Sequence, residues 1–314
     1  MSIDKSFVMR FAKTTERGAY GASLFIGKDD KIAADKSAVD EMRNELNKIN
    51  IRGRIVIGEG EMDEAPMLYI NERVGTNNGD EFDIAVDPLE GTNFAAKNLP
   101  NALSVLAAAK KGCLLNAPDM YMEKIAIGRN LPKKLMDLDF GVKKNIGLLA
   151  EAKNTTTSKL TACVLNRSRH DKIVKSLMEM NVKINFITDG DVYGVMSVAY
   201  PEKNIDIYLG IGGAPEGVLA AAALKCLGCQ MQARLHFQNS NEKDRAKKLG
   251  INDFNKKYDI EDMVKEDVIF CATGVTDGDL LKGISDNGDS YDSETLILHE
   301  SSKINKVFKN KTKK

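Results

Sequence analysis

The chain has 314 residues, 43% of them hydrophobic and 29% charged, a make-up ordinary for a soluble globular protein with room for two α/β domains. Lys+Arg and Asp+Glu stand at 45 each, so no overall field favours nucleic acid or an acidic membrane. No apolar run reaches the roughly 20 residues of a membrane span, and the opening MSIDKSFVMR lacks the apolar core of a signal peptide. The expected location is the cytoplasm. The five cysteines, Cys113, Cys163, Cys226, Cys229 and Cys271, then read as free thiols. Cys226 and Cys229 have C-x-x-C spacing, but a zinc site needs two further ligands, and buried core thiols are the expectation.

Apolar spacing predicts helices over Phe7–Ile26 and Ala33–Ile49, the second carrying Val39, Met42, Leu46 and Ile49 on one face. Asp35 sits at its start, where an acid also answers the helix dipole. Arg54–Ile57 is a short strand that runs into Gly58-Glu59-Gly60-Glu61-Met62-Asp63-Glu64. Carboxylates so close together repel unless a cation lies among them, or unless the stretch is a solvated turn. Phe82–Val86 alternates as a strand does, then Asp87 and Pro88 stop it and Glu90-Gly91-Thr92 turn away. Two carboxylates and a hydroxyl on a strand end suit a divalent cation with a water beside it; a plain strand cap is the competing reading. Leu103–Lys110 is the next strand, Asn116–Lys124 a loop exposing Tyr121, and Ile125–Ile127 a short strand. Leu131–Ser158 shows no firm period and is expected to be irregular, with a domain boundary near its end separating 1–158 from 159–314.

The second half alternates strands and helices: a strand at Leu160–Leu165, a helix at His170–Met180, a strand at Lys183–Ile187, a helix at Asp191–Val198, and a strand at Ile205–Leu209 running into GIGGAPEG. That rhythm places ligands beyond the strand C-termini. Arg167 and Arg169 flank Ser168 at one such end, where planar guanidinium forks suit a phosphate. Thr188-Asp189-Gly190-Asp191 forms another turn. The glycines from Gly210 to Gly213 lead into a helix opened by Pro215 and Glu216, without the dinucleotide or Walker pattern. A polar helix at Asn239–Leu249, strands at Asp267–Ala272 and Glu294–Leu298, and a frayed basic tail complete the expectation.

Taken together, IVIGEGEMDEAPMLYI, DIAVDPLEGT, NAPDMYMEK, RHD, DGDV and GIGGAPEG resemble the signature segments of the bacterial class II fructose-1,6-bisphosphatases, a family similar in fold to the lithium-sensitive sugar and inositol phosphatases. The resemblance runs from about Asp35 to the last strand. It implies an α/β (α+β) fold, a layered α-β-α-β-α sandwich with a metal-binding N-terminal domain and a sugar-phosphate-binding C-terminal one. It implies hydrolysis of the 1-phosphate of fructose 1,6-bisphosphate in gluconeogenesis, with Mn²⁺ or Mg²⁺ as cofactor and a homodimer or homotetramer as the assembly. Asp35 and Glu59 would bind one metal, and Asp87, Glu90 and Glu216 another. Thr92 would orient or deprotonate the attacking water. Glu90, Gly91, Thr92, Tyr121, Arg167, Ser168, Arg169, Asp189, Gly190, Asp191 and Gly213 would contact the sugar bisphosphate. The family more usually shows Lys-Pro-Arg where this chain has Arg167-Ser168-Arg169, a change at a phosphate site that bears on substrate preference.

Other readings predict different behaviour. A related phosphatase would prefer sedoheptulose 1,7-bisphosphate or an inositol phosphate, which specificity constants separate. A catalytically silent metal- or sugar-phosphate-binding protein would bind without turnover, and the acids and Thr92 argue against it. A nucleic-acid-binding protein would depend on the basic tail, against a neutral net charge and no recognised module.

Overall fold

The structure, a computed structural model, describes residues 2–58 and 68–314. In chain order the first elements are α1 (Ser6–Ser23), α2 (Lys31–Leu46), β1 (Ile51–Ile57), β2 (Arg73–Val74), β3 (Asp80–Glu90), α3 (Thr92–Ala96) and β4 (Leu103–Lys110). Next come β5 (Tyr121–Ile127), α4 (Gly141–Ala152), β6 (Thr161–Leu165), α5 (Asp171–Glu179), β7 (Lys183–Ile187) and α6 (Asp191–Met196). They are followed by β8 (Ile207–Gly213), α7 (Ala214–Leu227), β9 (Gln230–His236), α8 (Ser240–Lys248), β10 (Tyr258–Asp259) and α9 (Ile260–Met263). The last are β11 (Val268–Gly274), β12 (Ser285–Asp286), β13 (Ser290–His299) and β14 (Ile304–Lys313).

The chain is mixed α/β with two sheets, and it forms two compact units, Met1–Asn116 with Val264–Lys314, and Ala117–Met263. The division therefore falls near Asn116 and again near Met263. The boundary expected at Ser158 lies inside the second unit, because β11 pairs antiparallel with β4 and returns the chain to the first sheet.

In the first unit the sheet order is β12-β13-β11-β4-β3-β1-β2, with β14 on the free side of β13. Phe82, Ile84 and Val86 of β3 share a buried core with Phe11 of α1 and Val39, Met42 and Leu46 of α2. Phe82 packs edge-on against Phe7 and Phe11, with ring centroids 5.0 and 5.6 Å apart. By alternation, Asp83 and Ala85 face the other side. The basic tail, expected to fray, is β14. It pairs with β13 from Ser290↔Lys313 to His299↔Ile304, and its Asn310 and Thr312 donate to the buried carboxylate of Glu16 on α1. Lysines along its exposed edge obscure the strand period and also discourage edge-to-edge pairing.

In the second unit the order is β10-β9-β5-β8-β6-β7. Ile125, Ile127, Ala162, Val164, Ile207 and Leu209 pack with Ile146 and Leu149 of α4 and Leu177 of α5. Alternation sends Lys124, Cys163 and Tyr208 to the opposite face, where α6 and α7 lie. The stretch expected to be irregular holds α4; its Ile146, Leu149 and Ala150 are buried, a stripe masked by the surrounding lysines and glycines. Among the described residues, no helix is long and apolar enough to cross a membrane. Among the described residues no disulfide forms, and all of the five cysteines but Cys226 are buried.

Candidate active site

The first unit delivers its acids through an irregularity in β3. The strand does not stop at Asp87; it continues to Glu90 with a bulge between them. Asp87 pairs with Val105 and Glu90 with Leu103. Those partners are two residues apart on β4 and share a face, so the bulge puts Asp87 and Glu90 on one face although they are three apart in sequence. Pro88, without an N–H, fits the interrupted ladder. Carboxylate oxygens of the two acids lie within 4.8 Å of each other. Glu90 is buried and Asp87 half-buried, and Asp87 Oδ1 accepts from Leu89 N at 3.1 Å.

Gly91 follows at φ 79°, capping α3 in the left-handed region. A Cβ there would meet Phe94 Cδ2 at 2.8 Å. Thr92 Oγ1 donates to Leu89 O at 3.1 Å, so its hydroxyl proton is committed to the backbone and its lone pairs are left to accept. Asp35 lies in α2, but it does not cap it. Asp30 does, accepting from Ala33 N at 2.9 Å. Burial raises the Asp35 carboxyl to about 6, a cost that a helix-capping role does not explain. Glu59 and its neighbours Glu61, Asp63 and Glu64 lie outside the described residues.

The second unit assembles its polar groups at the C-terminal ends of β6, β7 and β8. Tyr121 is not in a loop but opens β5, half-buried. The Arg169 guanidinium lies over its ring, 4.7 Å from the centroid. Arg169 Nε donates to Ile211 O at 2.8 Å, which leaves its terminal nitrogens for an anion. Arg167 donates to Thr188 O at 2.7 Å and Asn166 O at 3.0 Å, tying the β6 end to the β7 end. Ser168 starts the short 3-10 turn Ser168–His170. Gly190, at φ 77°, makes the left-handed turn between Asp189 and Asp191.

Asp191 is buried, and both its oxygens are engaged, Oδ2 by Lys124 and Oδ1 by the Tyr208 hydroxyl. Lys124 also donates to Gly213 O at 2.7 Å. Lys124 and Tyr208 carry chemistry that the sequence reading passed over. The signal was available: Lys124 interrupts the apolar face Met122, Lys124, Ala126.

Glu216 lies in the first turn of α7. The glycines before it are not a turn but the end of β8, and they are glycines for a steric reason. A Cβ on Gly213 would collide with the Glu216 carboxylate, and one on Gly212 with that of Asp191. Burial raises the Glu216 carboxyl, Lys124 opposes the shift and Asp191 adds to it. Glu216 Oε2 is buried with no hydrogen-bond partner among the described residues. A buried oxygen held at that cost, in an all-oxygen donor set, fits a hard divalent cation.

Residues 5–312 match the family model described as bacterial fructose-1,6-bisphosphatase, glpX-encoded. The chain is 42% identical to the class 2 fructose-1,6-bisphosphatase of Haemophilus influenzae, over 96% of this chain and 94% of that protein. It is 43% identical to fructose-1,6-bisphosphatase 1 class 2 of Escherichia coli K12, over 95% and 93%. Among solved structures, an extragenic suppressor from Pyrococcus furiosus aligns with a TM-score of 0.33 at 15% identity, over 62% of this chain and 72% of that one. An inositol monophosphatase from Anabaena aligns with a TM-score of 0.32 at 10% identity, over 62% and 71%. With a family model matched across nearly its full length and relatives above 40% identity, the chain belongs to the bacterial class 2 fructose-1,6-bisphosphatases.

Proposed function

We propose that the chain hydrolyses the 1-phosphate of fructose 1,6-bisphosphate, releasing fructose 6-phosphate and phosphate, as a gluconeogenic phosphatase dependent on Mn²⁺ or Mg²⁺. The observation that carries this reading is the β3 bulge, which puts Asp87 and Glu90 on one face just before Thr92 in the chain. By the family resemblance, Asp87, Glu90 and Glu216 would hold one ion and Asp35 and Glu59 a second. The chemistry such ions supply is polarisation of the phosphoryl oxygens and acidification of a water.

The chain's own residues do the rest. Thr92 Oγ1, its proton given to Leu89 O, accepts a hydrogen bond from the attacking water and turns the water's lone pair toward phosphorus. Arg167 and Arg169 grip the distant 6-phosphate, with Arg169 levelled against Tyr121. The Gly190 and Gly213 backbones leave room for the sugar. The Asp191 carboxylate, engaged by Lys124 and Tyr208, acts by holding this floor in shape. The replacement of Lys-Pro by Arg167-Ser168 makes sedoheptulose 1,7-bisphosphate the competitor to compare.

The test is phosphate release from fructose 1,6-bisphosphate with Mn²⁺, with Mg²⁺ and after EDTA. Metal-restored release that yields fructose 6-phosphate is expected. No release from folded, metal-loaded protein refutes the substrate assignment. A higher kcat/KM on sedoheptulose 1,7-bisphosphate reassigns it.

A further inference from the structure

His170 belongs to the RHD segment and has no part in the chemistry proposed for the site. It is fully buried at the end of β6. Its Nδ1 contacts Leu165 O at 2.7 Å, and its Nε2 contacts Ile211 N at 2.7 Å. A carbonyl only accepts and a backbone N–H only donates, so the ring is the neutral tautomer with its proton on Nδ1. The imidazole therefore bridges the last residue of β6 to the middle of β8. The neighbouring side chain holds the same peptide segment, because Arg169 Nε donates to Ile211 O. Ile211 is thus held at its N–H by His170 and at its C=O by Arg169. Packing here is close: a Cβ on Gly210 would sit tightly, 3.0 Å from Tyr208 Oη, and in ordinary contact, 3.5 Å, with His170 Nε2.

Arg169 is exposed, with a long side chain and several rotatable bonds. Among the described residues, two contacts fix its guanidinium, the Tyr121 ring and the Ile211 carbonyl. The second is only as firm as the placement of Ile211. We propose that His170 is a positioning residue, which locks Ile211 of β8 to the end of β6 and so presets the Arg169 guanidinium for the phosphate distant from the reacting one. This rests on the reading of Arg169 as a phosphate ligand. It predicts that His170 acts on substrate affinity and leaves the chemical step alone.

The experiment compares H170A, H170Q and R169A in the metal-loaded full chain. It measures kcat, KM for fructose 1,6-bisphosphate, and the Kd of fructose 6-phosphate by calorimetry, a probe bearing only the distant phosphate. H170A is expected to raise KM and the fructose 6-phosphate Kd about tenfold or more, the worth of a charge-assisted hydrogen bond, with kcat within about threefold. Glutamine carries a donor and an acceptor that can meet Leu165 O and Ile211 N together, so H170Q is expected to recover most of the affinity. If H170A does not fold, H170Q against the shorter H170N, which cannot span both partners, makes the same comparison. An unchanged KM in folded H170A, or a fall in kcat alone, overturns the positioning role. R169A separates the two claims. If R169A weakens fructose 6-phosphate and H170A does not, only the positioning inference fails; if R169A has no effect, the phosphate assignment of Arg169 fails first.

Discussion

Replacing Lys124 by methionine isolates the ion pair beneath the candidate site. Lys124 and Asp191 are 1% and 7% exposed. Methionine keeps most of the apolar stem, so little packing is lost. The ammonium is lost, Gly213 O is deprived of its donor, and Asp191 is left with Tyr208 as its partner. Breaking a buried pair by removing one member costs about 3–5 kcal/mol. The K124M penalty is therefore expected to fall in that range. Urea unfolding of the metal-free protein, followed by circular dichroism, reads it. K124M/D191N, which removes both charges of the pair, is expected to be more stable than K124M alone. A negligible K124M penalty, or a double variant that merely adds the two single losses, would refute the view that an uncompensated Asp191 charge causes the defect.

Thr92→Ala is expected to lower kcat about 10²- to 10⁴-fold with little change in KM, the span for a residue that handles the proton of the reacting group; near-normal turnover removes Thr92 from the mechanism. Gly213→Ala drives a Cβ into the Glu216 carboxylate, and the Mn²⁺ concentration for half-maximal activity should rise about 10- to 100-fold, as when a metal ligand loses its alignment; an unchanged metal requirement separates Glu216 from the metal. Burial lowers the His170 pKa in the folded chain. Its unfolded value of about 6.5 lies above the folded one, so the unfolded chain binds more protons. Stability is full above about pH 6.5 and falls as the pH drops below it, and H170Q should flatten that part of the urea-midpoint profile. Deleting residues 304–314 bares one side of β13 and removes Asn310 and Thr312 from the buried Glu16 carboxylate. A loss of several kcal/mol is expected from exposing a partnered edge and a buried charge, and an unchanged urea midpoint would return the tail to the frayed end its composition suggests.

What could be read directly from the residues was which polar side chains lie at strand ends. Alternation in Phe82–Val86 located β3, and the carboxylates of Asp87 and Glu90 stood out at its end. What stayed hidden depends on partners far away in sequence. The bulge that brings Asp87 and Glu90 to one face is defined by their pairing with Val105 and Leu103, and no local pattern in DIAVDPLEGT states it. The join between Asn116 and Val264 depends on β11 choosing β4 as its neighbour. The tail is a strand only because β13 offers it an edge.

Lys124 and His170 show why local reading misses such residues. Each is a buried polar residue, Lys124 between the buried Met122 and Ala126 and His170 among exposed polar neighbours, and nothing in the local pattern states that burial. Burying Lys124 is tolerable only because Asp191, 67 residues on, and the Gly213 carbonyl both face its ammonium. Burying His170 is tolerable only because Leu165 O and Ile211 N match the two edges of one neutral imidazole. In both cases the partner that settles the energetics also belongs to the floor on which the arginines and Glu216 stand. A departure from local pattern that is fully satisfied by distant groups marks a place where the fold spends stability to fix geometry. In this chain those places lie in the second unit, beside Glu216 and the arginines proposed to hold phosphate.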